Sequence, residues 1–307
     1  RRYWILTNGM VFGVLGQATA DLYTLRHDDD YAGTTRRSHA GLAAELRWPL
    51  VKAGRNGVTH VLEPIAQLVL APTGKGDIPN EDSLLVEFDE GNLFALTRDP
   101  GSDAVERGMR ANIGLNYLRL DPDGWSLGAT IGRVLRTEDL GQFSEASGLD
   151  GISSDWLAAW QMKNSEGLAI TNRVLVDDDL SLTKAELRLG LERPRYGVQA
   201  GYVHVLSDPA ENRLSRTEEL VFETHFDLGH RGWTANLANR YDLEADRATK
   251  AGLGLSFRNE CLSVDLSLSR RFTSSTSVKP TTDFAVSLEL LGFGGSTPAG
   301  EARQCRG

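Results

Sequence analysis

Few residues in this chain could do chemistry. His225 and Asp227 lie two positions apart, a spacing that puts both side chains on one face of an extended segment, where they could exchange a proton. No nucleophile elbow, phosphate-binding loop or dinucleotide fingerprint accompanies them. Two polar residues lining a wet face is the simpler account, and no catalysis is expected. Two acidic triplets, Asp28-Asp29-Asp30 and Asp177-Asp178-Asp179, could collect a divalent cation that bridges lipid phosphates. Neither has the spaced carboxylates and glycine of a calcium loop, so a solvated acidic turn is the plainer reading. The histidines, His27, His39, His60, His204, His225 and His230, show no metal spacing, and the cysteines, Cys261 and Cys305, form no metal motif. No metal or cofactor is expected.

The elements that must hold these residues are strands. Leu262, Val264, Leu266 and Leu268 alternate with Ser263, Asp265, Ser267 and Ser269. Ala185, Leu187, Leu189 and Leu191 alternate with Glu186, Arg188, Gly190 and Glu192. Leu220, Phe222, Phe226 and Leu228 share one face against Glu223, His225 and Asp227, and Leu253, Leu255 and Phe257 oppose Gly252, Gly254 and Ser256. A period of two argues for strands with one apolar and one polar face. About fourteen such segments follow one another, at 9–26, 36–48, 58–71, 104–120, 124–135, 152–162, 167–176, 180–192, 195–207, 214–228, 231–242, 247–258, 261–272 and 280–292. Most reach ten residues or more, beyond the ~5–6 usual in soluble proteins and suited to a tilted membrane strand of ~9–11.

Composition permits this. Hydrophobic residues are 40% of the chain, and no apolar run is long enough for a membrane helix. A barrel strand needs apolar residues only at alternate positions. With a net charge of −9 and no basic tract, nucleic acid is not expected as a partner. Connections also sort by length. Those at 49–57, 121–124, 163–166, 194, 229–232 and 259–260 are tight, while 27–35, 72–103, 136–151, 208–213 and 273–279 are mostly longer; the turns around 177–179 and 243–246 are short members of the second set. Short turns at one end and longer loops at the other mark an outer-membrane barrel, with the short turns in the periplasm. Trp48, Trp125, Tyr196, Trp233 and Phe257 all flank short turns and all phase outward, as an interfacial aromatic girdle would. Glu186, Arg188, Glu223, Asp227, Arg240 and Asp265 fall on the other face; unpaired charge there would be costly in a dry core but not in a wet lumen. The segment 72–103 mixes Glu81, Asp82, Glu87, Asp89 and Glu90 with Leu84, Leu85, Val86, Phe88, Leu93 and Phe94, and reads as an ordered loop folded over or into a pore. Pro64 inside a strand removes a ladder donor and implies a bulge or a local weakness. The expected fold is all-β: an antiparallel transmembrane barrel of about fourteen strands over 1–293, with a disordered tail at 294–307. Residues alone leave open a small-solute channel, an outer-membrane hydrolase and a soluble β-protein.

Three stretches carry a resemblance. One is His60-Val61-Leu62-Glu63-Pro64-Ile65-Ala66-Gln67-Leu68. Another is Pro79-Asn80-Glu81-Asp82-Ser83 followed by Glu87-Phe88-Asp89-Glu90-Gly91-Asn92-Leu93-Phe94. The last is Phe257-Arg258-Asn259-Glu260-Cys261-Leu262-Ser263, running into Ser269-Arg270-Arg271-Phe272-Thr273 and Thr281-Thr282-Asp283-Phe284. Together they resemble the LPS-assembly outer-membrane protein family (LptD), in an alphaproteobacterial form, over roughly residues 40 to 293. The resemblance implies an outer-membrane translocon that inserts lipopolysaccharide (LPS) into the outer leaflet through a lateral gate. It implies an LptE-like plug lipoprotein in the lumen, and a periplasmic LPS bridge protein reached through an N-terminal domain absent from this sequence. On that reading the chain is the C-terminal part of a larger barrel. The segment 280–292, with Phe284, Val286, Leu288 and Leu290 outward, is then the gate strand, and its partner lies outside this sequence. The resemblance also implies a disulfide from Cys261 to a residue outside the chain; pairing with Cys305 and an unpaired thiol are the alternatives.

Overall fold

A computed structural model describes residues 1–25, 33–74, 78, 80–82, 85–209, 213–229, 232–272 and 279–291. Sixteen strands pair in a sheet whose neighbour order follows the chain except that the third and fourth both pair the fifth, antiparallel at every pairing with a described register. The acidic triplet at 28–30, Cys305 and the tail at 294–307 lie outside the described residues.

The chain divides into two compact units. The first holds Arg1–Ser165, Thr171–Glu186 and His204–Arg216. Its strands are β1 (Arg2–Ile5), β2 (Val11–Leu25), β3 (Gly33–Arg47), β4 (Leu50–Ala53), β5 (Thr59–Leu70), β6 (Arg110–Leu120), β7 (Ser126–Arg136) and β8 (Trp156–Lys163). Register fixes what each face carries. Val14 pairs with Ala44, Ala44 with Leu68, Leu68 with Ala111 and Ala111 with Leu135, so an apolar row crosses five strands. One residue along, Gly13, Glu45, Gln67, Asn112 and Val134 form the row on the opposite face. Because the side-chain period is two, a one-residue slip would exchange these rows, so the hydrophobic pattern itself specifies the pairing.

The strands β9 (Leu168–Val176), β10 (Leu182–Arg193) and β11 (Tyr196–Val205) run through both units. The second unit adds β12 (Thr217–Asp227), β13 (Trp233–Asp242), β14 (Arg247–Arg258), β15 (Leu262–Arg271) and β16 (Thr281–Leu290). Leu237, Leu253, Leu268 and Phe284 form an apolar row. Beside it, Thr234, Ser256, Asp265 and Ser287 form a polar one.

Two differences from the sequence reading have plain causes. Sixteen strands replace fourteen because β1 and β4 have four residues each, too short for alternation to register. Segments 104–120 and 152–162 start later, at Arg110 and Trp156, because their first residues belong to loops. Pro64 makes no bulge. Arg47 pairs with Ile65 and Leu50 with Leu62, the same register on both sides of the gap between β3 and β4. Pro49 and Pro64 each lack an N–H, so the ladder is thinned there, leaving the Trp48 N–H on the Pro64 carbonyl at 3.1 Å. The tight turn expected at 49–57 shrinks to 54–58.

Candidate functional site

The connection from β5 to β6 is the longest in the chain, and its second half returns onto the polar face of the first unit. The tip, Asp89 to Asn92, builds itself by reciprocal side-chain bonds. Asp89 Oδ1 accepts the N–H groups of Gly91 (2.8 Å) and Asn92 (2.9 Å), while Asn92 Oδ1 accepts the Asp89 N–H (3.0 Å). These residues form such local turns readily. Asn92 also donates to the Glu87 carbonyl, and the Glu87 side chain is exposed. The turn throws Phe88 and Leu93 onto the sheet, where both are buried with Val134, Leu149, Leu157 and Leu175, and Phe94 packs against the same cluster. Close approach needs glycine beneath. A Cβ on Gly132 would lie 2.5 Å from Leu93 Cδ2, and one on Gly114 would lie 2.9 Å from Phe94. The start of the loop is tied to its end: Asp82 accepts the N–H groups of Ser102 (2.6 Å) and Asp103 (2.7 Å), which hold its carboxyl below the usual range, and the Glu81 N–H bonds Asp103.

Beyond the tip the loop carries a buried ion cluster. Glu106 takes Arg98 Nη1 at 2.5 Å, Arg136 Nη2 at 2.9 Å and Arg110 Nε at 3.3 Å. One carboxylate thus faces three guanidinium groups from the loop, β6 and β7. Burial alone would raise the Glu106 pKa, but Arg98, Arg110 and Arg136 hold it below the usual carboxylate range. The cluster continues as a relay of hydrogen bonds. Arg98 donates to the Asn112 side chain (3.1 Å), Asn112 to Gln67 (2.7 Å), Gln67 to Glu45 (2.9 Å), and Arg47 to Glu45 (2.7 Å). Backbone carbonyls of Leu93, Phe94 and Leu96 accept from Arg98, Gln67 and Arg110. Such a loop is part of the fold, because each buried polar partner would be orphaned if it left.

At its rim the loop meets β9. Arg173 holds Glu90 with two bonds, Nε at 2.7 Å and Nη2 at 2.9 Å, and Glu186 with Nη1 at 3.3 Å. Beside the pair lies a hollow of about 200 Å³ whose walls include Glu90, Asn116, Thr130, Gln161 and Thr171.

The other singled-out residues fall as follows. Glu186 is on the loop-bearing face, through its bond to Arg173, and Arg188 follows it by one alternation on β10. Glu223 pairs with Ala238, Asp227 with Thr234, and Asp265 with Ser256 and Ser287, all in the polar rows of the second unit. Phe284, Val286, Leu288 and Leu290 pair with Leu268, Leu266, Val264 and Leu262 on the apolar face, and every residue of β16 is exposed. Trp125, Tyr196, Trp233 and Phe257 stand beside short turns; Trp48 does not, because β4 carries the ladder on past it and the turn comes only at 54–58. Trp233 and Phe257 are register partners with ring centroids 5.0 Å apart, and Arg119 lies 4.0 Å over Trp125. Sequence reasoning missed Trp4, stacked on Phe12 at 5.8 Å, because β1 was invisible, and missed His60 bonded to the Tyr117 hydroxyl at 2.9 Å. It also missed Arg98, Glu106, Arg110 and Arg136, whose partners are distant in sequence. The triplet at 177–179 is a structural turn: Asp177 accepts the N–H groups of Asp179 and Ser181, and Asp178 pairs with Arg133 at 2.9 Å. Asp227 and His225 do not meet; His225 pairs with Glu192 at 3.1 Å. Cys261 sits in a turn capped by the Asn259 side chain.

Antiparallel strands longer than those of soluble proteins, an apolar face left open, a polar face carrying a folded loop and aromatic residues at the short-turn end define an outer-membrane β-barrel. Among solved structures the chain is similar to a mutant of the Rhodopseudomonas blastica porin, at 10% identity over 92% of this chain and 90% of that one (TM-score 0.36). It is also similar to outer membrane phospholipase A from Escherichia coli, at 11% over 92% and 90% (TM-score 0.28). A further one is the P. putida toluene transporter TodX, at 12% over 93% and 78% (TM-score 0.23). No curated protein matches the chain. The family model for LptD, LPS transport system D, matches residues 15–233. The chain belongs to the LptD family. It is a barrel component of lipopolysaccharide transport and resides in the bacterial outer membrane.

Proposed function

We propose that the chain moves LPS toward the outer leaflet along its polar face and releases it laterally, beside β16, rather than through an open pore. The observation that carries this is the loop: residues 86–108 occupy the polar face of the first unit, bound through a buried hydrophobic cluster and a buried ion cluster. A loop fixed in this way obstructs a simple solute channel. An exit at the seam leaves it in place. The short-turn end faces the periplasm, with Trp125, Tyr196, Trp233 and Phe257 at that interface and Phe284, Val286, Leu288 and Leu290 against lipid at the gate. The polar face, with Glu186, Arg188, Glu223, Asp227 and Asp265, fits an LptE-like plug lipoprotein, and delivery comes from a periplasmic LPS bridge protein. On this reading the protein carries cargo and is not an enzyme. Depleting the protein tests the function. LPS must then fail to reach the cell surface; normal surface LPS after depletion refutes it.

A further inference from the structure

We propose that Arg173 and the hollow beside it form an anion subsite, which takes the phosphate of a phosphorylated sugar in exchange for the Glu90 carboxylate and so frees the loop tip. The inference rests on the polar face being the transport path.

The loop has two ionic anchors of different character. Glu106 and its three arginines are sealed under the loop, with Glu106 fully buried, so nothing arriving along the face meets them first. Glu90 is 36% exposed on its side chain and stands at the rim. Its partner, Arg173, offers a planar fork, and that fork accepts phosphate as readily as carboxylate. Glu90 fills the fork with two bonds, at 2.7 and 2.9 Å, in the geometry a phosphate monoester would adopt. The guanidinium is positioned on its far side by Glu186, itself braced by Lys184 at 3.2 Å, so it stays in place when Glu90 leaves. Asp89, 4.0 Å from the guanidinium, belongs to the same loop tip and moves away with Glu90.

The hollow supplies the remainder of the recognition. Its walls put Asn116, Thr130, Gln161 and Thr171 around about 200 Å³, with Glu90 closing one side. Thr130 Oγ1 already donates to Asn116 Oδ1 at 3.0 Å, which leaves the Asn116 amide hydrogens turned to other acceptors. Gly128, opposite Gln161, adds no side chain to the hollow. The amides and hydroxyls suit the hydroxyl groups of a sugar, and Leu118, Ala159 and Trp160, which also line the hollow, suit its apolar ring face. Charge balances in the exchange: one anion leaves the fork as another enters, and no covalent step is involved.

The test uses the full-length protein in detergent, with hydrogen exchange followed across the loop. The probes are a bisphosphorylated glucosamine disaccharide, the same disaccharide without phosphate, and inorganic phosphate. The bisphosphorylated probe is expected to raise exchange at residues 87–92 in a saturable way while 97–108 stays protected. Glu90→Gln removes the competing charge and tightens binding several-fold. Arg173→Gln weakens it by about tenfold or more, and Arg173→Lys, which keeps the charge but not the fork, falls between. Heat-modifiable migration on gels confirms that each variant folds. Equal effects of the two disaccharides, or no gain from Glu90→Gln, overturn the subsite, and inorganic phosphate acting as well as the disaccharide overturns its sugar part. Loss of surface LPS on depletion, together with no phosphate-dependent exchange, refutes this subsite and leaves the transport function standing.

Discussion

Replacing Glu106 by glutamine removes the single carboxylate shared by Arg98, Arg110 and Arg136 while keeping side-chain shape. The two carboxylate oxygens meet these groups at 2.5, 2.9 and 3.3 Å, and all four side chains are almost fully buried. Breaking a buried ion pair from one side costs ~3–5 kcal/mol, because the remaining charge has no solvent to turn to. At ~1.4 kcal/mol per factor of ten, the loop's opening constant should rise by about two to three and a half orders of magnitude. The strands keep their own ladders, so the change should be confined to the loop. Hydrogen exchange over residues 93–108, in detergent, reads it directly. Glu90→Gln is the internal comparison: it breaks a rim pair with an exposed carboxylate, worth ~0.2–1 kcal/mol and less than about tenfold in exchange. If the two substitutions loosen the loop equally, or if Glu106→Gln leaves 93–108 protected, the ion cluster does not hold the loop and the hydrophobic cluster alone does.

The pH dependence has a definite sign. The Glu106 carboxyl is depressed, so its contribution is complete above the ordinary glutamate pKa and disappears as pH falls through the lower folded value. Pepsin should therefore leave residues 93–105 uncut in mild acid and cut them only in strong acid; cleavage already in mild acid would contradict the depression. Gly132→Ala places a Cβ 2.5 Å from Leu93 Cδ2 and from the Ile113 carbonyl, and should cost the loop ~1–3 kcal/mol by overpacking, read as faster exchange at Leu93. Trp233 and Phe257 are register partners in ring contact, so a double-mutant cycle to leucine on thermal unfolding should give a coupling of ~0.5–1.5 kcal/mol; a zero coupling would mean that the contact is not made in the membrane.

How much of this was legible depends on the range of the interaction. The strands from β12 to β16 could be read directly, because each displays its two faces within its own ten or so residues, as Leu262 to Ser269 do. β1 and β4 could not, since four residues hold too few alternations. Pro64 was legible as a lost donor, but its consequence was not. Whether a proline bulges a strand or merely thins the ladder depends on the register across it, which the pairings of Arg47 with Ile65 and Leu50 with Leu62 decide. The loop at 72–103 was legible as ordered from Phe88, Leu93 and Phe94, but its end was set too early. Glu106 continues the same docked segment, and nothing local marks a carboxylate that will meet arginines on two strands and its own loop.

One signal for the docking site lies in the strands rather than in the loop. In the second unit the polar face carries Thr234, Asn236, Ser256, Asp265 and Ser267, and its aliphatic Val221, opposite Arg240, is not buried. In the first unit the equivalent face is broken by Leu15, Val69, Val134, Leu157 and Leu175, all buried. A wet face gains nothing from large aliphatic side chains, and each one exposed to water would cost about 1.5–3 kcal/mol relative to burial. Their presence on a face that is otherwise Glu45, Gln67, Arg110 and Asn112 therefore requires a cover from the same chain. Leu15 and Val69 pack with Leu96, and Val134, Leu157 and Leu175 pack with Phe88 and Leu93. The aliphatic interruptions mark the footprint of the loop. Interruptions of this kind on the polar face of any such strand series should point to the segment that folds back over it.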